Sequence, residues 1–199
     1  MNNRFDIYLH VHKGLRAFMV DVLTNVGRIN AADPIEVAGA VAQVRSLLEI
    51  CRAHLFTENQ FVHSAMEARR RGSACTTATQ HVQHEEAFEQ LEARLRAIEM
   101  SSVSDLDARM LDLYHSLALF VAENFQHMYA EEHENNETLW ALYSDAELHA
   151  LHAEIMASLD PVKMVNFARW ILPYVSHRER AAMLAGMQKA APVPVSHFN

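Results

Sequence analysis

A His-x-x-x-Glu pair occurs twice in this chain, each time deep inside a long amphipathic pattern: His54 with Glu58, and His127 with Glu131. At 3.6 residues per turn, a spacing of four places the imidazole and the carboxylate on one face of a helix. Two such helices that face each other would bring two histidines and two carboxylates together. The repeated pair therefore predicts a helical protein in which polar side chains converge inside the core.

Apolar residues recur at intervals of three and four along four long stretches, as in helices with one buried face. The predicted helices span roughly residues 5–26, 33–71, 76–100 and 105–143. The joints between them are short, which forces neighbouring helices to run antiparallel. Residues 1–143 therefore predict an all-α, up-down-up-down four-helix bundle.

The remainder of the chain predicts shorter helices. Two capping-box patterns, Ser144-x-x-Glu147 and Ser176-x-x-Glu179, and an Asp160-Pro161 pair are each typical of a helix start. We expect residues 144–190 to form two or three short helices packed on the bundle, and the proline-containing tail 191–199 to be flexible. Apolar residues of this extension suit either a cover for the bundle end or a homodimer face: Met164, Phe167, Trp170, Ile171 and Leu172.

The composition of the chain excludes several classes of protein. With 199 residues, half of them hydrophobic, it can bury a core, and only five glycines and five prolines argue against an all-β fold. The net charge of -8 argues against binding nucleic acid. No signal-peptide pattern and no stretch near the ~20 apolar residues of a membrane span is found. The sequence therefore predicts a soluble cytoplasmic protein that inserts in no membrane, and its two cysteines suit a reducing compartment.

Histidines on the other two predicted helices extend the His-x-x-x-Glu pairs to a larger set. His12 lies on the apolar face of the first helix and His84 on that of the third. A single His/Glu pair is more often a simple hydrogen-bonded pair. Four inward-facing histidines and two carboxylates on four successive helices instead favour a di-iron site, with a metal-free helical scaffold as the alternative.

Three residues are expected beside these ligands. Tyr8 lies one turn before the first-helix histidine and either hydrogen-bonds near the metals or is a core tyrosine. His81 precedes the third-helix histidine by three residues. We expect it to be exposed or to lie beside the ligands, and the alternative is that it is a fifth nitrogen ligand. Glu132 lies about 140° around the helix from the fourth-helix histidine. It should point out of the bundle unless the helix is distorted there, and it is the alternative carboxylate ligand.

The order of these residues resembles that of the hemerythrin-like (HHE cation-binding) family. The resemblance covers roughly residues 5–143 and includes the local sequence His12-Lys13-Gly14-Leu15-Arg16. It implies a four-helix bundle with two non-haem irons, joined by an oxo or hydroxo group and by two bridging carboxylates. The implied ligands are the residues already singled out: His12, His54, Glu58, His84, His127 and Glu131.

Two departures separate the chain from the oxygen-carrying hemerythrins. Those proteins have a second histidine four residues after the third-helix ligand, where this chain has Phe88. Their fourth-helix carboxylate follows its histidine by five residues, the position of Glu132, whereas Glu131 has the four-residue spacing of the bacterial iron-sulfur-repair and stress-response relatives. The resemblance therefore implies the repair and sensing branch.

The function implied by the resemblance is a cytoplasmic di-iron protein that binds or senses oxygen, nitric oxide or peroxide. Its role would be in the redox stress response or in handling iron for damaged iron-sulfur clusters. Two irons have about twelve coordination positions, and this ligand set leaves roughly two of them open. One alternative is an oxygen storage or carrier protein, against which Phe88 argues. Another is a di-iron oxidase or peroxidase, whose Glu-x-x-His pattern this chain lacks.

Overall fold

The computed structural model describes residues 4–160, 165 and 168–190, and every regular element within these ranges is helical. The all-α prediction is therefore confirmed for the described residues. None of the helices in these ranges combines the length and the apolar character that a membrane span needs. The helices are α1 (Leu9–Val26), α2 (Pro34–Thr57), α3 (Ser64–Arg69), α4 (Cys75–Glu99), α5 (Leu106–Ala130), α6 (Asn136–Leu142), α7 (Asp145–Ser158) and α8 (His177–Ala190).

Two π turns interrupt helices that the sequence predicts to be continuous. The first π turn (Glu58–His63) joins α2 to α3, and the second π turn (Glu131–Asn135) joins α5 to α6. In a π turn the backbone hydrogen bonds run from residue i to i+5, so the turn holds one residue more than an α turn. Apolar spacing gives no sign of this change. Each π turn begins at the glutamate of a His-x-x-x-Glu pair.

The two helix starts that the capping-box patterns predict are present in the described residues, and α2 begins with a capping residue as well. Asp33 caps α2 by accepting hydrogen bonds from the backbone of Ile35 and Glu36, at 2.8 and 3.4 Å. The Ser144 capping box at the start of α7 is confirmed, and Ser176 exchanges the equivalent bonds with Glu179. Pro161, Met164, Phe167 and the tail 191–199, to which other predictions refer, lie outside the described residues.

The first predicted helix starts later than expected, at Leu9 instead of Phe5. Asp6 accepts hydrogen bonds from the backbone of Tyr8 and Leu9, at 2.9 and 3.1 Å, and so supplies partners for amides at the helix start. The preceding residues are tied to α6, since Trp140 donates its indole N–H to the Phe5 carbonyl at 2.8 Å. Tyr8 is thereby placed just before the first turn of α1, and its side chain is 1% exposed.

The long helices α1, α2, α4 and α5 surround the main hydrophobic core. α1 packs against α2 and α5, and α4 packs against the same two helices. Salt bridges from Arg45 to Glu99 and from Arg52 to Glu89 run between α2 and α4. Each large apolar side chain buried in such a core contributes about 1.5–3 kcal/mol. The most buried ones include Phe18, Met19, Leu47, Phe88, Leu95, Leu113, Leu117 and Phe120.

A second, smaller hydrophobic cluster is separate from the main core. It contains Tyr8, Val62, Met66, Ala74, Leu139 and Leu148. Each of the four long segments has buried polar residues near the point where it passes from one cluster to the other. We call these residues the polar layer: His12, Glu58, His63, Thr77, His81, His84, Asn124, His127, Glu131, Asn135 and Asn136.

The C-terminal segment packs along the outer side of α1. The ring of Trp170 stacks on Phe18 with a centroid distance of 3.7 Å. Gly14 is the point of closest approach, because a Cβ atom there would lie 2.6 Å from Cγ1 of Ile171. Lys13 and Glu179 add a salt bridge of 2.6 Å to this contact. Trp170 and Ile171 thus cover part of α1.

Candidate metal centre

Two groups of ligand-type side chains meet in the polar layer, and they share both of their carboxylates. Each group has two histidines and the same two glutamates, and within a group one ligand atom of each residue lies within 4.8 Å of all the others. Imidazole nitrogens and carboxylate oxygens are donors that bind transition metals, so each group could hold a metal ion. The groups are His12, His54, Glu58 and Glu131, and Glu58, His81, His127 and Glu131.

The two His-x-x-x-Glu pairs, each on its own helix, face each other. Glu58 Oε1 lies 3.0 Å from Nε2 of His54 and 3.5 Å from Nε2 of His12. Glu131 Oε2 lies 3.3 Å from Nε2 of His127 and 3.5 Å from Nε2 of His12. Both carboxylates are therefore placed where each can contact the histidines of more than one helix.

The rings of His81 and His127 point their Nε2 atoms at each other, 3.0 Å apart. Each ring donates its Nδ1 hydrogen to a side-chain amide oxygen, His81 to Asn59 at 2.7 Å and His127 to Gln80 at 2.8 Å. Because a neutral imidazole has one N–H and one lone pair, both Nε2 atoms carry lone pairs. Two facing lone pairs cannot form a hydrogen bond, whereas a metal ion can accept both. The arrangement suits a metal ion.

Burial keeps these two imidazoles in the neutral form that binds metal. It lowers the pKa of His81 to about 4 and that of His127 to about 2, although the Glu58 carboxylate opposes both shifts. At neutral pH neither ring has to lose a proton before it can bind a cation.

His12 is anchored through its Nδ1 atom as well. It donates that hydrogen to Glu132 Oε1 at 3.0 Å, and Arg16 holds the same carboxylate with two N–H groups at 2.5 and 2.9 Å. Burial lowers the pKa of His12, but the hydrogen bond to Glu132 and the negative charge of the nearby Glu58 carboxylate outweigh it, so the net shift is upward. A carboxylate that fixes one ring nitrogen leaves the other one facing the ligand position.

Glu132 does not point out of the bundle, because the helix is distorted there, which is the exception that the sequence prediction allows. Its side chain is 21% exposed and reaches His12 and Arg16 on α1. The physical reason is the second π turn, which starts one residue earlier and changes the direction of the side chains that follow. Glu132 thus lies beside the metal-ligand groups, and Glu131 lies within them.

Buried polar atoms that lack a hydrogen-bond partner mark the same position. Among the described residues they include Nε2 of His12 and of His54 and both carboxylate oxygens of Glu58 and of Glu131. The short contact between His54 and Glu58 lacks the alignment of a hydrogen bond. An unpaired buried polar atom costs about 1–3 kcal/mol, so several of them around one point are a large cost. Two cations would give all of these atoms a partner, and the residues therefore fit a metal pair.

The two shared carboxylates differ in their protonation. Burial raises the pKa of Glu58, but His54 and His12 outweigh burial and the net shift is downward. Burial also raises the pKa of Glu131, and the negative charges of Glu58 and Glu132 raise it further. Two neighbouring cations would favour the charged form of both carboxylates.

His84, the predicted third-helix ligand, belongs to neither group. The histidine that α4 contributes to the second group is His81, which the sequence predicts to lie beside the ligands. The two residues are three positions apart on α4 and so differ by about 60° around the helix, which leaves both facing inward. The His84 ring lies edge-on to His127, with a centroid distance of 4.8 Å, and its surroundings lower its pKa to about 4, mainly through burial.

A small cavity borders the second group. It has room for about one water-sized molecule. His84 and Asn124 lie in its wall together with Glu58 and the ligand-type histidines. Phe88, the residue that departs from the oxygen carriers, lines the same cavity and packs against Phe120 at a centroid distance of 5.7 Å. The rest of the wall is mainly apolar and includes Leu15, Met19, Cys51, Leu55 and Met128.

A hydrogen-bonded network lies on the other side of the two groups. Asn135 donates to the hydroxyl groups of Tyr8 and Thr77, at 3.2 and 3.3 Å, and Thr77 Oγ1 lies 3.1 Å from Nε2 of His63. The His63 ring stacks on His81 with a centroid distance of 4.7 Å. Burial, together with the charges of Glu131 and Glu58, raises the pKa of Tyr8 well above its usual range. Tyr8 therefore keeps its proton and can donate it.

Sequence reasoning missed several of these neighbours. Thr77 precedes His81 by four residues and so shares its helix face, and this spacing is a signal that could have identified it. His63 and Asn135 are the last residues of the two π turns, and a straight α-helix does not predict where they point. The sequence offers no comparable signal for Asn59 and Gln80, which anchor the facing histidines.

Comparison of the chain with protein-family models, with curated proteins and with solved structures finds no match. The assignment of a function therefore depends on the geometry of the metal centre.

Proposed function

We propose that this protein is a non-haem di-iron protein of the hemerythrin-like type, which binds or senses a small redox-active molecule such as oxygen, nitric oxide or peroxide. The observation that carries the proposal is the pair of interlocking ligand groups, which share Glu58 and Glu131 and present unpartnered Nε2 atoms to them. Shared carboxylates are suited to two ions held close together, because each carboxylate has an oxygen for either ion.

The proposed architecture is an up-down-up-down four-helix bundle that carries the centre in its polar layer. The order in which each segment passes the two hydrophobic clusters supports it. α1 runs from Tyr8 of the small cluster to Leu15 of the main core, and α2 with α3 runs the opposite way, from Leu55 to Met66. α4 repeats the first order and α5 with α6 the second. Successive segments are therefore antiparallel in this arrangement.

The proposed ligands are two histidines for each ion and two bridging carboxylates. His81 replaces His84 in this proposal because it belongs to a ligand group and has an anchored Nδ1 atom. Two six-coordinate ions have about twelve positions, of which four histidines and two bridging carboxylates supply about eight. The positions that remain are available to a bridging oxygen and to a small ligand. The set is His12, His54, Glu58, His81, His127 and Glu131.

Iron is the proposed metal because the donors are imidazoles and carboxylates, with no thiolate in either group. Structural zinc sites, in contrast, usually include cysteine. When bound, a pair of irons supplies one-electron redox chemistry and open coordination positions. The chain itself orients the histidines through Glu132, Asn59 and Gln80, and its apolar cavity limits access to small molecules.

We propose that this centre binds or senses the small redox-active molecule in a redox stress response. We also propose that it handles iron for damaged iron-sulfur clusters. The apolar cavity beside the second group supports a small ligand over a large substrate, since it holds about one water-sized molecule.

Metal analysis tests the proposal. Protein purified without oxygen and reconstituted with ferrous iron should retain two irons per chain, one for each group. Exposure to air should produce the near-ultraviolet charge-transfer bands of an oxo- or hydroxo-bridged pair. The control is His115→Ala, because His115 is an exposed histidine of α5 outside both groups and its loss should leave the iron content unchanged. Retention of one iron or none, or a preference for zinc in competition, would contradict the proposal.

A further inference from the structure

His84 differs from His12, His81 and His127 in that no hydrogen bond from the described residues holds its ring. His12, His81 and His127 each donate their Nδ1 hydrogen to a fixed oxygen. Within the part of the chain that the structure describes, the contacts of the His84 ring are edge contacts to His127 and Phe120, and it forms no hydrogen bond. Its side chain is nevertheless buried, at 5% exposure. A neutral imidazole has one donor and one acceptor nitrogen, and neither has a polar partner among the described residues.

The position of His84 shows where such a partner would sit. The residue lines the cavity, next to His81 and His127 of the second ligand group. The apolar part of the cavity wall, which includes Met19 and Phe88, offers no polar group to the ring, and no hydrogen bond joins the ring to the polar residues described in the wall. A molecule held in the cavity would therefore be the partner of the imidazole.

We propose that His84 binds the small molecule that enters this cavity and is not itself a metal ligand. The inference rests on the proposed di-iron function and names the class of ligand: a neutral molecule of two or three atoms with a hydrogen-bond acceptor, of which nitric oxide is the probe. A neutral imidazole has one N–H to donate to that acceptor. No lysine or arginine lines the cavity, so a neutral ligand suits it better than an anion.

Two substitutions of His84 test the inference. His84→Leu removes the donor and keeps the site apolar, whereas His84→Gln keeps a donor on a side chain of similar reach. A single hydrogen bond corresponds to about a five- to tenfold change in affinity. We expect the leucine variant to keep two irons and to release nitric oxide about five- to tenfold faster than the wild type. The glutamine variant should recover most of the loss.

The measurements are iron content, the absorption change on titration of the ferrous protein with nitric oxide, and the rate of release after dilution. Circular dichroism checks that each variant is folded, and His115→Leu serves as the control for the loss of a histidine outside the cavity. Loss of iron in both His84 variants would show that His84 is a ligand and would overturn the inference while leaving the di-iron centre in place. Unchanged release rates with full iron content would overturn it as well. A wild type that binds no iron would overturn both proposals.

Discussion

Glu131 and Glu132 are adjacent in the chain but contact different parts of the candidate metal centre. Glu131 is completely buried and belongs to both ligand groups. Glu132 contacts the outer nitrogen of His12 and is held there by Arg16. One carboxylate is therefore placed to bind metal, and the other to orient a residue that does.

The two substitutions Glu131→Ala and Glu132→Ala should differ in their effect on iron. Without Glu131, two cations would lie close together with only one shared carboxylate, so we expect most of the bound iron to be lost. Without Glu132, the ring of His12 loses its anchor, and metal affinity should fall about 10- to 100-fold while saturating iron still fills the site. Equilibrium dialysis against ferrous iron at several concentrations measures both effects.

Arg16→Leu is the matched control, because it leaves both carboxylates in place and removes only the group that holds Glu132. We expect a smaller loss of affinity than in Glu132→Ala. Equal loss of iron from both glutamate variants at saturating metal would show that Glu132 is also a ligand, and would reopen the oxygen-carrier alternative.

The sequence alone does not determine which of His81 and His84 belongs to a ligand group. Helical periodicity places both on the inward face of α4, and it identifies the His-x-x-x-Glu pairs in the same way. What distinguishes the two rings is the hydrogen bond of His81 to Asn59, which lies in another segment. A pattern along one helix carries no information about such contacts.

At the scale of secondary structure, the two π turns are the elements that place the centre. Each begins at a shared carboxylate and ends at a residue of the network around Thr77, His63 in one turn and Asn135 in the other. The extra residue lets one turn supply groups to both sides of the polar layer. Single-turn π segments inside α-helices are frequent at functional sites.

Deletion of Gln60, an exposed residue in the middle of the first π turn, tests this role. Removing one residue should convert the turn to a regular α turn and keep the flanking helices in register. Glu58 and His63 could then no longer both reach their present positions. We expect unchanged helix content by far-ultraviolet circular dichroism and at least about tenfold weaker iron binding.

Gln60→Ala is the control for this deletion, because it changes the same exposed side chain without shortening the turn. It should bind iron like the wild type. Wild-type iron affinity in the deletion variant would show that the π turn does not position Glu58.

Most of the secondary structure follows from the sequence, and the π turns do not. Periodicity and the Ser144 capping box predict helices close to those observed. A π turn changes the hydrogen-bond pattern at a single turn while the apolar stripe continues on both sides. Its cause lies in the contacts that it makes in the folded protein, which the sequence of one segment does not contain.

At the scale of the whole molecule, the polar layer divides the interior into two hydrophobic clusters. All four long segments cross it, and each contributes at least one residue to a ligand group. In the absence of metal the layer brings together two carboxylates and several lone pairs with no partners. We therefore expect the layer to oppose folding unless cations neutralise it.

Removal of metal should destabilise the whole chain. A ligand present at 1,000 times its dissociation constant stabilises the folded state by about 4 kcal/mol, and a metal pair that joins four segments should reach at least this value. Urea unfolding of the reconstituted and the chelated protein, followed by circular dichroism, measures the difference. We expect a lower midpoint after chelation and a full return when ferrous iron is added.

The Glu58→Ala variant is the control, since its unfolding midpoint should no longer respond to iron. Identical midpoints for reconstituted and chelated wild-type protein would contradict the role of the polar layer as a metal-dependent link.

The division of the interior by the polar layer also has a consequence for the lifetime of the protein. If cations join the two hydrophobic clusters, the protein should unfold more often when iron is scarce. Proteases cleave the unfolded form. We expect the steady-state amount of the protein to follow the iron supply at constant synthesis. Its abundance would then report how much iron is available, independently of any small molecule that the centre binds.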